Sequence, residues 1–257
     1  MEDSFLLFAA VGFLAQLVDG ALGMAYGIIS STVLLTAGVT PAAASASAHA
    51  AEVFTTAASA GSHAWHRNVN WKTLGWLAPA GAVGGIIGAY VLTSFDGATL
   101  RPLVAAYLCL MGVYVLFRAV WGLPQAREHR PAALVPLGAV GGTLDAIGGG
   151  GWGPVVTTAL IGSGGAPREV IGTVNTAEFI VTVAISAAFL TALLTGHWDD
   201  AGALVDHAWA VGGLILGGVL AAPLAGYVTR IIPARQLMFL VGLLISVLGA
   251  FQVWRLI

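Results

Sequence analysis

Apolar runs, each bounded by charged residues or by Gly and Pro, divide this chain into membrane-length and half-membrane-length segments. In the first half they fall at 5–19, 22–38, 42–62, 73–94 and 98–121, and in the second at 132–147, 152–163, 168–195, 207–229 and 234–256. As helices, the last three of each half span a hydrocarbon core of about 30 Å at about 1.5 Å per residue. The first two are shorter and meet at glycines, so they are either short crossings or a hairpin that turns back.

The polar positions inside these runs repeat. At an offset of 126 residues Asp19 falls on Asp145, and without a gap Gly23 falls on Gly149, Gly27 on Gly153, Pro41 on Pro167 and Glu52 on Glu178; Ser47 meets Thr173 and His49 meets Asn175. Matches among Asp, Glu, Gly and Pro carry the argument, because an apolar background matches Leu to Ala by chance. The reading is a tandem of two membrane repeats, 1–121 and 132–257, joined by a cytoplasmic linker at 122–131.

Composition agrees: of 257 residues 58% are hydrophobic and 9% charged, against about 25% charged in a soluble domain. The 35 glycines suit helices that approach backbone to backbone, with Gly81/Gly85, Gly84/Gly88, Gly138/Gly142 and Gly213/Gly217 as packing pairs. A net charge of −2 offers no basic surface for nucleic acid, and Cys109 has no intrachain disulfide partner. The acidic start, Glu2 and Asp3, does not suit a secretory leader, so the first apolar run is expected to stay.

Loop charge orients the segments. Arg67 and Lys72, and Arg118, Arg127 and Arg130, place the loop after the third segment and the central linker in the cytoplasm. The matching second-half loop carries Asp199, Asp200 and Asp206 without Lys or Arg and is expected outside. Arg230 and Arg235 put the next turn inside, opposite to the turn at Asp96. The expectation is an all-α multi-pass protein of the cell membrane, two inverted repeats of five segments, with both termini extracytoplasmic; Arg255 is the one charge against this. Trp65, Trp71, Trp76, Trp121, Trp198 and Trp254, near segment ends, read as interfacial anchors.

Two motifs carry the candidate chemistry. The first is the glycine break with its preceding acid: Asp19 with Gly23 and Gly27, and Asp145 with Gly148, Gly149, Gly150, Gly151 and Trp152. A broken helix frees backbone N–H groups, which lipid leaves unsatisfied, so the break is either a packed turn or a place for an anion. No Lys and Ser/Thr follow the glycines, so it is not a nucleotide loop. Asp19 and Asp145 either cap the next helix or carry a proton. The second motif is Ser47, His49 and Glu52, mirrored by Thr173, Asn175 and Glu178. His49 and Glu52 lie three apart and share a helix face, about 12–16 Å beyond Pro41, near a bilayer midplane where a bare carboxylate is costly. They are either a polar clamp between helices or coupling groups, and His49 adds a side chain that titrates near neutral pH. Trp152 stands apart from the other tryptophans as a residue that shapes the cavity. No nucleophile with a supporting His and carboxylate emerges, so an enzyme is not expected, and neither a metal site nor a cofactor is; His63 and His66 sit beside Arg67 in what reads as a solvated loop.

The paired glycine breaks, the helix with Thr173, Asn175 and Glu178, the stretch Asn68, Val69, Asn70, Trp71 and the run Gly81 to Gly88 together resemble the sulfite exporter (TauE/SafE) family of membrane permeases, over nearly the whole chain. The resemblance implies export of small sulfur-containing or organic anions such as sulfite, sulfoacetate or other sulfonates, coupled to a proton or sodium gradient. Its carry-over puts both glycine motifs and the His49/Glu52 and Asn175/Glu178 helices along the path; on the reading of the residues themselves, Asp19 and Asp145 join His49, Glu52 and Glu178 as candidate coupling groups. Leu22, Met24 and Ala25 stand where the second half has Gly148, Gly150 and Gly151, so the halves are expected to contribute unequally. Alternating access by rocking of one repeat against the other is the expected cycle. The competing readings are a non-transporting scaffold, in which buried Glu and Asn staple helices, and a cation carrier using four embedded carboxylates.

Overall fold

The computed structural model describes residues 2–95, 97–121, 131–163, 165–198, 208–231 and 234–254. Asp96, linker positions 122–130 with Arg127 and Arg130, the loop acids Asp199, Asp200 and Asp206, and Arg255 lie outside the described residues.

Regular structure among the described residues is helical throughout: α1 (Glu2–Leu22), α2 (Tyr26–Thr36), α3 (Pro41–Trp65), α4 (Trp71–Thr93), α5 (Gly97–Trp121), α6 (Pro131–Gly148), a π-helical turn (Gly153–Thr157) running into α7 (Thr158–Gly162), α8 (Pro167–Leu194), α9 (Ala208–Ile231) and α10 (Ala234–Trp254). The boundaries have local causes. Pro41 and Pro167 open α3 and α8 where a helix has no use for an N–H. The Asn70 side chain caps α4 by accepting from the Thr73 N–H at 3.0 Å.

Trp71–Thr93, Pro102–Trp121 and Arg168–Leu194 are each long and apolar enough to cross a membrane. Their outer faces are apolar: Val83, Ile87 and Tyr90 on α4 and Leu103, Leu110 and Val113 on α5 stand exposed, while Asp19, His49, Glu52, Asp145 and Glu178 are buried. That inside-out distribution belongs to a protein solvated by lipid. Trp65, Trp71, Trp76, Trp121 and Trp254 are exposed, as anchors should be. Trp198 corrects its expectation: it is 4% exposed and packs on Phe189 at 6.0 Å between ring centroids. The chain folds back after Leu194, the N–H groups of His197 and Trp198 both donating to the Ala192 carbonyl, and this turns the indole inward.

The helices pair in a two-fold pattern. α1 runs parallel to α9, with Gly213 against Phe5 and Gly217 against Phe13; α4 runs parallel to α6, with Gly138 against Leu77 and Gly88 against Ala146. α3 and α8 run antiparallel, since His49 lies near Phe189 and Ser59 bonds Asn175. α5 and α10 are antiparallel as well, with Gly112 on Ser246 and Gly242 on Leu116. Exchanging the halves maps each pairing onto another or onto itself. Lipid gives no hydrophobic drive between helices, so glycine contact of backbone on backbone supplies the van der Waals attraction that holds α4 to α6 and α1 to α9.

One consequence departs from a division by sequence. α4, from the first repeat, packs on α6 and α8 of the second, and α9, from the second, packs on α1 and α3 of the first. The fold therefore holds two mixed bundles, α1–α2–α3–α9 and α6–α7–α8–α4, which meet along α3 and α8 and at the two helix breaks.

Candidate functional site

The two breaks stack on each other at the centre. Gly23 has φ +65° and Gly149 and Gly150 have φ +67° and +145°, backbone that suits glycine, and Ala25 takes φ +104° at the strained equivalent of Gly151. A Cβ at Gly27 would stand 2.8 Å from both the Gly149 carbonyl oxygen and the Gly150 Cα; a Cβ at Gly153, the equivalent position, would stand 2.8 Å from the Gly23 carbonyl oxygen. Hydroxyls tie each break to the opposite helix. Thr157 donates to the Gly23 carbonyl at 2.7 Å, and its equivalent Ser31, which donates to Gly27 O at 2.7 Å, lies 3.3 Å from the Gly148 carbonyl.

Each acid caps the helix after its own break, with unequal success. Asp145 Oδ1 accepts the N–H groups of Gly151 at 2.7 Å and Trp152 at 2.9 Å, and Oδ2 lies 3.3 Å from His49 Nε2. Asp19 Oδ1 accepts only the Tyr26 N–H, at 3.5 Å, and its Oδ2 has no hydrogen-bond partner. In this conformation the N–H groups of Gly151 and Trp152, the expected anion donors of the second break, are thus taken by Asp145.

The His49 contact fixes a proton. Ser45 gives its hydroxyl hydrogen to the Ala146 carbonyl at 2.6 Å, so His49 Nδ1, 2.8 Å from the Ser45 carbonyl, must be the donor there. Its Nε2 then faces a carboxylate oxygen. The contact of His49 Nε2 with Asp145 Oδ2 links α3 to the second break.

The remaining predicted residues fall in two groups. Glu52 belongs to the centre: its Oε1 lies against Gly27, and its Oε2 has no hydrogen-bond partner. Glu178 is buried, also with an unpartnered Oε2. Ser47 is buried without a hydrogen-bond partner. Trp152 is a wedge, its ring against Gly81 of α4 and its indole N–H donating to Val174 O of α8 at 3.2 Å. Asn175 reaches across to α3, accepting from Ser59 at 2.9 Å, and lies beside Gly23.

Thr173 is placed elsewhere, at the end where α8 begins. It accepts the Asn70 N–H at 2.8 Å; the Asn70 amide donates to Glu169 at 2.6 Å, and Arg168 donates to Asn68 at 2.7 Å. This ties the loop after α3 to α8.

The structure also accounts for the unequal glycine content of the breaks. Gly148 and Gly151 are bare because Tyr107 of α5 lies on them: a Cβ on either would collide with its ring or hydroxyl. The first break fills the same positions with Leu22 and Ala25, both buried. Tyr107, Ser31, Thr157 and Ser59 are thus site residues beyond those read from the sequence. Ser31 and Thr157 had a signal, being hydroxyl residues at the 126-residue offset; Tyr107 had none, since its contact is long-range and its second-half counterpart is not a tyrosine.

Internal two-fold packing, facing helix breaks and buried ionisable groups define a membrane transporter. The chain belongs to the sulfite exporter TauE/SafE family, which residues 8–251 match. It is also 42% identical over 251 residues to "Probable membrane transporter protein YtnM" of Bacillus subtilis (strain 168), covering 95% of this chain and 81% of that protein. No solved structure matches it.

Proposed function

We propose that the protein exports small sulfur-containing or organic anions, sulfite or sulfonates, across the cell membrane by alternating access coupled to protons. The supporting observation is the stacking of two equivalent helix breaks, with the His49–Asp145 contact holding α3 against the second. Separation of the breaks would expose Gly23, Gly27 and Gly148–Gly151 to one side of the membrane and open the His49–Asp145 contact, so that movement of the anion and exchange of the proton become one event. Glu52, Asp19 and Glu178 are further buried carboxylates of the core. Their number favours protons over a bare anion path, because buried carboxylates become tolerable when they carry a proton.

The moving units in this reading are the mixed bundles rather than the sequence halves. Both termini face outward, with the loop tied to Arg168 and Glu169 in the cytoplasm.

Flux of sulfite and sulfoacetate in proteoliposomes under an imposed pH gradient tests the function. Transport that follows the gradient, and loses that dependence in Glu52→Gln, Glu178→Gln, supports it; transport driven only by sodium, or of a cation instead, removes it. Full, still pH-dependent flux in the double variant would return both glutamates to the role of helix staples.

A further inference from the structure

Tyr107 has a hydroxyl that does no visible structural work. It is buried and has no hydrogen-bond partner, yet its ring rests on Gly148 and its oxygen is aimed at Gly151, inside the second break. Leaving a buried donor unmade is costly, and such a group in a native fold calls for an explanation. The neighbouring acceptor does not supply one: both carboxylate oxygens of Asp145 are engaged by Gly151, Trp152 and His49.

The position is built rather than accidental. Two glycines replace the buried Leu22 and Ala25 of the first break to admit the phenol, and seven residues on, along the same face of α5, Tyr114 bonds Thr158 at 3.0 Å. α5 thus lays two tyrosines on the second broken segment; one has its partner within the protein, and one has none.

We propose that the Tyr107 hydroxyl is a hydrogen-bond donor to the transported oxyanion at the second break, which makes Tyr107 a specificity-determining residue of the transport reaction. This rests on the anion-transport reading above. A phenol donates without carrying positive charge, so it selects an acceptor such as a sulfite or sulfonate oxygen and adds no competing ion pair beside Asp145. It also explains why one break is glycine-rich and the other is not: the ligand contacts are asymmetric although the helices are two-fold related.

The test compares Tyr107→Phe with Tyr114→Phe in the purified full-length protein, reading thermal unfolding without ligand and the shift produced by sulfite and by sulfoacetate. Tyr107→Phe removes an unpartnered hydroxyl, so its unliganded unfolding temperature should be unchanged or higher, while its apparent affinity for the anion falls by about 10- to 100-fold, the worth of one hydrogen bond to a charged group. Tyr114→Phe should give the opposite signature, a lower unfolding temperature with affinity retained. Wild-type affinity in Tyr107→Phe overturns the assignment and leaves anion transport standing. Failure of sulfite, sulfoacetate and other small oxyanions to shift even the wild type overturns both.

Discussion

Gly81 of α4 and Gly218 of α9 hold equivalent places in the two mixed bundles: each offers bare backbone to the aromatic residue just after a helix break, Trp152 for Gly81 and Tyr26 for Gly218. A Cβ would stand 2.5 Å from the Trp152 ring in one case and 3.2 Å from the Tyr26 ring in the other. The second neighbours match too, Val181 on α8 and Thr55 on α3, themselves related by the 126-residue offset. The rings are the wedges that fix each break against the fourth helix of the other repeat.

Glycines on α4 should therefore differ sharply in their response to a methyl group. Gly84→Ala puts a Cβ within 2.8 Å of the Ala139 carbonyl carbon, backbone that has nowhere to go, and should destabilise by about 1–3 kcal/mol. Gly75→Ala, with nothing within 4 Å, should stabilise by about 0.5–1 kcal/mol through helix propensity alone. Thermal unfolding of the two variants in one detergent decides this, and equal shifts would contradict the close contact of α4 with α6.

Asp145 should matter more to the fold than its twin. Asp145→Ala strands the Gly151 and Trp152 N–H groups and leaves His49 facing an empty place, a loss of about 3–5 kcal/mol, whereas Asp19→Ala gives up one long hydrogen bond and should cost about 1 kcal/mol or less. Unfolding midpoints measure the ranking. A larger loss at Asp19 would show that the centre is arranged otherwise.

A covalent link between the sequence halves should be harmless if the moving units are mixed bundles. A Cβ at Gly138 would stand 3.2 Å from the Ala80 Cβ, near disulfide distance, and 2.6 Å from the Leu77 carbonyl oxygen, so Gly138→Cys itself costs stability and the informative comparison is oxidised against reduced protein. Oxidised Ala80→Cys, Gly138→Cys in a Cys109→Ala background should transport at a rate within about twofold of its reduced form, since the bond lies within one bundle. Arrest on oxidation, reversed by reductant, would restore rocking of one repeat against the other.

Orientation can be read from two single cysteines in the same background. Lys72→Cys, at the start of α4, should react with a membrane-impermeant thiol reagent only from the cytoplasm; Thr195→Cys, after α8, should react only from outside. Labelling of both from one side would mean that α3 and α8, antiparallel in the structure, are not inverted with respect to the membrane.

The order of the helices was legible because lipid imposes it: a spanning segment must satisfy its own backbone, so length and apolarity mark it without reference to neighbours. That Gly27 and Gly153, and Asp19 and Asp145, hold corresponding places in the two halves was legible from the 126-residue offset. What each group touches was not. That the Gly151 and Trp152 N–H groups are spent on Asp145, that Thr173 serves a loop at one end, and that Trp198 turns inward are all set by local chain reversal or long-range contact, which spacing does not encode. The exchange of fourth helices was hidden for the same reason. Its traces are the glycine faces of the two fourth helices: Gly81, Gly84, Gly85 and Gly88 on α4, set against Gly138 and Gly142 on α6, and Gly213 and Gly217 on α9, set against α1.

That exchange bears on how the protein is made. α4 leaves the ribosome before any residue of α6 or α8, so the face carrying Gly81, Gly84 and Gly85 has no partner until Gly142, Ala139 and Ile185 have been synthesised, on the order of 5–20 s later at ordinary elongation rates. α1 and α3 wait longer still, for α9. Neither half thus completes itself: a fragment ending at residue 121 would carry one fourth helix without its seat and one seat without its fourth helix.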